Sequence, residues 1–83
     1  MRLDKFLKVA RLAKRRSEAK AALEAGRITR GGRALKASHE VRPGDELVIH
    51  YSARILKVRV KAVPGKTGPK NEPQELYAVI EDA

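Results

Sequence analysis

The chain has 83 residues, 19 Lys plus Arg against 10 Asp plus Glu, and no cysteine, which gives a formal net charge of +9. That length holds one small domain, and the lack of Cys excludes a disulfide scaffold or a Cys-ligated zinc site. With His39 and His50 as the sole histidines, a multi-histidine metal centre is excluded too.

The charge is unevenly placed. Residues 1–36 carry 12 Lys plus Arg and 3 acids, a net of +9, while residues 37–83 carry 7 of each and balance. Cations concentrated in this way point to a polyanionic partner on one side of the molecule. A basic run taken alone reads as a solvated face, but here the run coincides with periodic structure.

In chain order, Leu3, Phe6, Leu7 and Ala10 follow the i, i+3, i+4, i+7 spacing of a helix with one apolar stripe. Lys5 and Lys8 then face away from the core, with Arg11 on the flank. Asp4 sits in the first turn, suits the positive end of the helix dipole and reads as structural. Leu12 would face solvent on a continued helix, so a bend or stop is expected at 11–13. After the basic knot Lys14-Arg15-Arg16, Ser17 offers an N-cap for a second, Ala-rich helix that ends at Gly26.

From Arg27 the period shortens. Arg27-Ile28-Thr29-Arg30 reads as a strand, Gly31-Gly32 as a tight turn and residues 33–36 as the returning strand. Arg42-Pro43-Gly44-Asp45 is a turn before a strand over 46–51, where Tyr51 suits the core and His50 the surface. Residues 55–63 alternate, with Leu56, Val58, Val60 and Ala62 on the buried face. Residues 64–74 read as a loop rich in Pro and Gly, and 76–80 as a last strand. The expected fold class is α+β: two short N-terminal helices packed on a small, mostly antiparallel bent sheet, with a C-terminal β-hairpin.

No catalytic constellation emerges. The serines lack a Gly-x-Ser-x-Gly setting, and Gly65-Lys66-Thr67 echoes only the end of a phosphate loop. His39 beside Glu40 reads as a surface histidine rather than an acid–base pair. The aromatic residues are Phe6, Tyr51 and Tyr77, so stacking platforms for splayed bases are scarce, and a structured RNA read by shape and backbone fits best. No segment is apolar enough to span a bilayer, and the start has no secretory signal, so the chain is expected to be cytoplasmic.

The segment Met1-Arg2-Leu3-Asp4-Lys5-Phe6-Leu7-Lys8, with Arg11-Leu12, Lys14-Arg15-Arg16-Ser17 and Ala19-Lys20, resembles the opening of the S-four-type RNA-binding domain, or alpha-L motif. Gly26-Arg27-Ile28, Gly32, Lys36-Ala37-Ser38 and the Val41-x-Pro43-Gly44-Asp45-Glu46 run continue the resemblance, which covers about residues 1–52. Residues 53–83 are then a C-terminal β-hairpin extension packed on the same single domain. Arg30-Gly31-Gly32 stands where many members carry Asn-Gly. With the motif at Met1 and no room for a catalytic domain, the chain looks most like the short stand-alone members, the ribosome-associated quality control P family. The fifteen-kilodalton heat-shock ribosome-binding proteins are near relatives, with a long basic extension that this chain lacks.

The resemblance implies a non-catalytic, cofactor-free RNA-binding factor, expected to be a monomer. Its implied partners are the large ribosomal subunit, 23S ribosomal RNA and the peptidyl-tRNA of a stalled complex, with a separate factor for C-terminal tailing of the nascent chain. Matching positions name Arg2 and Arg16 as the leading RNA contacts, with Lys5, Lys8, Lys14, Arg15 and Lys20 as phosphate contacts around them. Arg11 either joins them or braces the helix pair. Lys36, with Arg27, Arg30 and Arg33, either extends the patch or carries solvated strand charge. Two other roles compete: a recycling factor for free large subunits, or an RNA-tethering subunit of an RNA- or tRNA-acting enzyme, docked through an exposed Leu12 and the 64–74 loop.

Overall fold

A computed structural model describes residues 1–64 and 75–83. Two helices, α1 (Leu3–Val9) and α2 (Arg16–Glu24), precede five strands: β1 (Ile28–Arg30), β2 (Arg33–Ala34), β3 (Glu46–His50), β4 (Ile55–Val60) and β5 (Tyr77–Asp82). The strands form one antiparallel sheet in the order β2-β1-β3-β4-β5. The expected α+β architecture is present, and β4 with β5 makes the C-terminal hairpin pair. Most of the 64–74 loop lies outside the described residues.

The apolar stripe of α1 does what its spacing requires. Leu3, Phe6, Leu7 and Ala10 are buried, and Ala19 and Leu23 of α2 pack with them over Ile28, Leu47, Ile49, Leu56, Val58 and Val60 of the sheet. Alternation along β3 and β4 turns Glu46, Lys57 and Arg59 to the opposite face, where Glu46 holds Arg59 at 2.8 Å and Lys57 at 3.7 Å. Those two guanidinium and ammonium contacts hold the Glu46 carboxyl below its ordinary pKa, Arg59 contributing most. Gly31 and Gly32, with φ of 59° and 81°, make the tight β1–β2 turn in a region that L side chains rarely adopt.

The first turn of α1 has no side-chain cap at Arg2. Its exposed amides are met by another part of the chain: Leu3 N–H donates to the His39 carbonyl (2.8 Å) and Asp4 N–H to the Ala37 carbonyl (3.3 Å). Val41 N–H closes the clamp on the Met1 carbonyl at 3.0 Å.

Both helices end in one device. At α1, Leu12 N–H and Ala13 N–H donate to the Leu7 carbonyl, and Arg11 N–H donates to Lys8. At α2, Arg27 N–H donates to Ala22 and Gly26 N–H to Leu23. Such an ending needs one left-handed residue, and Arg11 (φ 62°) and Gly26 (φ 74°) fill that place.

Three expectations are corrected. The bend at 11–13 folds Leu12 back against the core, where it is only 8% exposed, so it offers no docking surface. Ser17 is not the N-cap: α2 starts at Arg16 behind an extended Arg15, and from that first turn Arg16 reaches Asp4. His39 is no free surface histidine; it is half-buried and its Nε2 lies 3.3 Å from Oδ2 of the buried Asp45. Tyr51 turns inward and His50 outward, as read from the sequence.

Candidate RNA-binding face

The site is built on a buried carboxylate. Asp4, 3% exposed, follows the N-cap of α1 and lies where α2 begins. Its Oδ1 accepts from the Lys5 amide (2.8 Å), from Arg2 Nε (3.3 Å) and from Arg16 Nη2 (3.5 Å), while Oδ2 meets Arg16 Nε at 3.3 Å. Arg16 therefore grips Asp4 with two nitrogens, the geometry that fits a guanidinium to a carboxylate.

Burial works to raise the Asp4 pKa. The Arg16 hydrogen bond, the Lys5 amide and the charges of Arg16 and Arg2 together outweigh it and hold the carboxyl below its ordinary 3.8. The group stays ionised and both arginines stay oriented. Each arginine side chain nonetheless remains about half exposed, at 53% for Arg2 and 50% for Arg16. One edge of each guanidinium is anchored, and the rest faces solvent. Two forks held at fixed spacing can meet neighbouring phosphates with little loss of side-chain entropy.

The other cations divide into two groups. On the outer face of the sheet, Lys57 and Arg59 are paired to Glu46, Arg54 to Asp82 and Lys61 to Glu75. Around the helices, Lys5, Lys8, Arg11, Lys14, Arg15 and Lys20 are exposed and no acidic side chain of the described residues pairs with them. Unneutralised positive charge thus gathers on the helical side, where counterion release on binding a polyanion is largest. Among the described residues Arg11 makes no ion pair or side-chain hydrogen bond with α2. Arg30 is drawn off to Asp45 at 3.6 Å, whereas Arg27, Arg33 and Lys36 are exposed along the β1–β2 side.

Sequence reasoning classed Asp4 as structural and missed that it orients the two leading arginines. The available signal was a lone acid between Arg2 and Lys5 on a helix whose other charged residues are all cationic. It likewise missed Asp45, which accepts from the Arg42 amide (3.1 Å) and gathers His39 and Arg30, fixing the 42–45 turn to the β1 hairpin. Among the described residues no helix is long and apolar enough to cross a membrane, and no three His, Asp or Glu side chains converge as metal ligands would.

Comparison with known proteins identifies the fold and the family. Residues 1–47 match the S4 domain family. The chain is 43% identical over 82 residues to the RQC P-site tRNA stabilizing factor of Bacillus subtilis, covering 99% of this chain and 94% of that protein. It is 49% identical over 79 residues to the factor of the same name from Halalkalibacterium halodurans, covering 95% and 89%. The trimeric structure of Vibrio cholerae Heat Shock Protein 15 superposes with a TM-score of 0.80 at 28% identity, covering 95% of this chain and 80% of that one. The chain therefore belongs to the S4-domain RNA-binding proteins, in the family of the RQC P-site tRNA stabilizing factors.

Proposed function

We propose that the protein is a non-catalytic RNA-binding factor that joins the large ribosomal subunit while it still carries a stalled peptidyl-tRNA, and that it supports ribosome-associated quality control there. The supporting observation is the pair of half-exposed guanidinium groups of Arg2 and Arg16 on one buried carboxylate, amid cations without acidic partners. Rigid forks of that kind suit structured RNA recognised by backbone and shape. The names of the relatives add P-site tRNA as a ligand class. In this reading 23S ribosomal RNA and tRNA are both within reach of the helical face, and a separate tailing factor acts on the same subunit. Arg2, Lys5, Lys8, Arg11, Lys14, Arg15, Arg16 and Lys20 carry the contacts, with Lys36 at the margin. Residues 1–52 form the RNA-binding domain, and 53–83 a β-hairpin packed on it.

The test is sedimentation of the tagged protein from lysate through a sucrose gradient at near-physiological salt. Comigration with large subunits that retain peptidyl-tRNA is the expected result. Retention at the top of the gradient, or even spread over all RNA, overturns the proposal. The likeness to Heat Shock Protein 15 favours one second reading, a recycling factor for large subunits in general. Equal binding to subunits with and without peptidyl-tRNA would support it.

A further inference from the structure

Arg11 is the one non-glycine residue with positive φ among the described residues. A left-handed backbone costs a residue bearing Cβ roughly 1–2 kcal/mol, and it persists here because the hydrogen bonds that end α1 hold it. The matching place at the end of α2 is filled by Gly26, which adopts the same geometry without that cost. This chain therefore uses glycine at one such ending and a cation at the other. The cation stands on the rim of an open cleft of about 550 Å³, bounded by Lys8, Arg11 and Lys14, with Val9 and Ala13 in its wall. Val9 is 37% exposed although it is the last residue of α1, and none of the three cations meets an acidic side chain among the described residues.

Resting on the functional reading above, we infer that this cleft is a discrete subsite for one phosphate–ribose unit of the bound RNA. The left-handed turn aims the Arg11 fork at the phosphate while Val9 packs against the sugar. Lys8 and Lys14 flank the phosphate as point charges, and the planar guanidinium supplies two parallel donors. The apolar wall would then explain an exposed valine amid cations, because the carbon face of a ribose needs such a surface.

Affinity across a KCl series would test this on two probes, purified large ribosomal subunits and a synthetic RNA hairpin. Arg11→Gly relieves the backbone and removes the fork, so its thermal midpoint should equal or exceed that of the wild type. Its log–log salt slope should fall by roughly 0.7–0.9, one phosphate's worth, on both probes. Arg11→Lys should keep the slope yet bind more weakly, since charge survives and the fork does not. Val9→Asp should weaken binding several-fold more than Ile55→Asp, an equal charge change on exposed β4 surface. An unchanged slope for Arg11→Gly on both probes, or equal effects of the two aspartates, would overturn the subsite. A wild type that binds the hairpin as tightly as the subunits would instead defeat the ribosomal reading, while the slope change on the hairpin would still report the cleft.

Discussion

The hydroxyl of Tyr51 donates a 2.7 Å hydrogen bond to the main-chain carbonyl of Leu12, across 39 positions of sequence. The bond ties the turn after α1 to the end of β3, and so holds Arg11 and Lys14 against the body of the protein. Burial raises the Tyr51 pKa most, with Tyr77 adding to it and the nearby Arg54 charge opposing, so the phenol remains a donor throughout the neutral range. Tyr51→Phe should cost about 1–2 kcal/mol, the range for a carbonyl stripped of its partner away from water. Urea unfolding monitored by circular dichroism would show a lower midpoint with an unchanged m-value.

Leu12→Ala probes the same turn from its apolar side. A buried leucine truncated to alanine loses about 2–4 kcal/mol. Were Leu12 a surface anchor for a partner, the substitution would leave the thermal midpoint in place; its 8% exposure predicts a clear drop.

Arg16→Ala reads from the sequence as a pure binding variant, and the structure adds a second effect. The truncation strips Asp4 of its two-pronged partner and leaves a buried carboxylate with Arg2 and one amide. Stability should fall by about 1–3 kcal/mol, alongside weaker association with large subunits. Arg16→Lys separates the effects: it preserves a charge for Asp4 but not the fork, so most stability should return and RNA affinity should not.

The acid limb of the stability curve should carry the signature of Asp4. Its folded pKa lies below the unfolded value, so the stability it supplies is complete well above pH 3.8 and is lost as pH falls through the depressed folded pKa. Glu46 and Glu75, also lowered through Arg59 and Lys61, act in the same direction. Urea midpoints measured from pH 6 to pH 2 should decline on the acid side, and Asp4→Asn should flatten that decline.

Gly26→Ala should destabilise by about 1–2 kcal/mol, because its φ of 74° is costly for alanine. The added Cβ meets only the Ala34 Cβ, at 4.0 Å, so the cost is torsional rather than steric. In thermal melts this variant should fall below the wild type, while Arg11→Gly should not.

Much of the fold was legible because its signals are local. The i, i+3, i+4 stripe of α1, the alternation of β4 and the paired glycines at 31–32 each declare themselves within a few residues. What escaped depends on distance. Leu12 would face solvent along a straight helix, and the left-handed Arg11 turns it inward. Ser17 looks like a cap, yet α2 begins one residue earlier at Arg16, which meets Asp4 across twelve positions of sequence. The leading arginines could be named from motif and charge, but their shared anchor could not, since no periodicity tells which buried acid two cations will find.

The clamp of residues 37–41 on the start of α1 bears on synthesis. The opening helix cannot satisfy its own first amides until Ala37 and His39 have been made, and its apolar stripe has no sheet to cover before β3 and β4 exist. The start of α1 is therefore completed only once residues 37–41 and the central strands have been made. The all-antiparallel, mostly neighbour-to-neighbour strand order then permits collapse within about milliseconds to tens of milliseconds. That is less than the roughly 50–200 ms a ribosome needs to add one residue. The two guanidinium forks thus reach their fixed spacing only after the clamp and the sheet have formed, so oriented recognition comes later in synthesis than the charge itself.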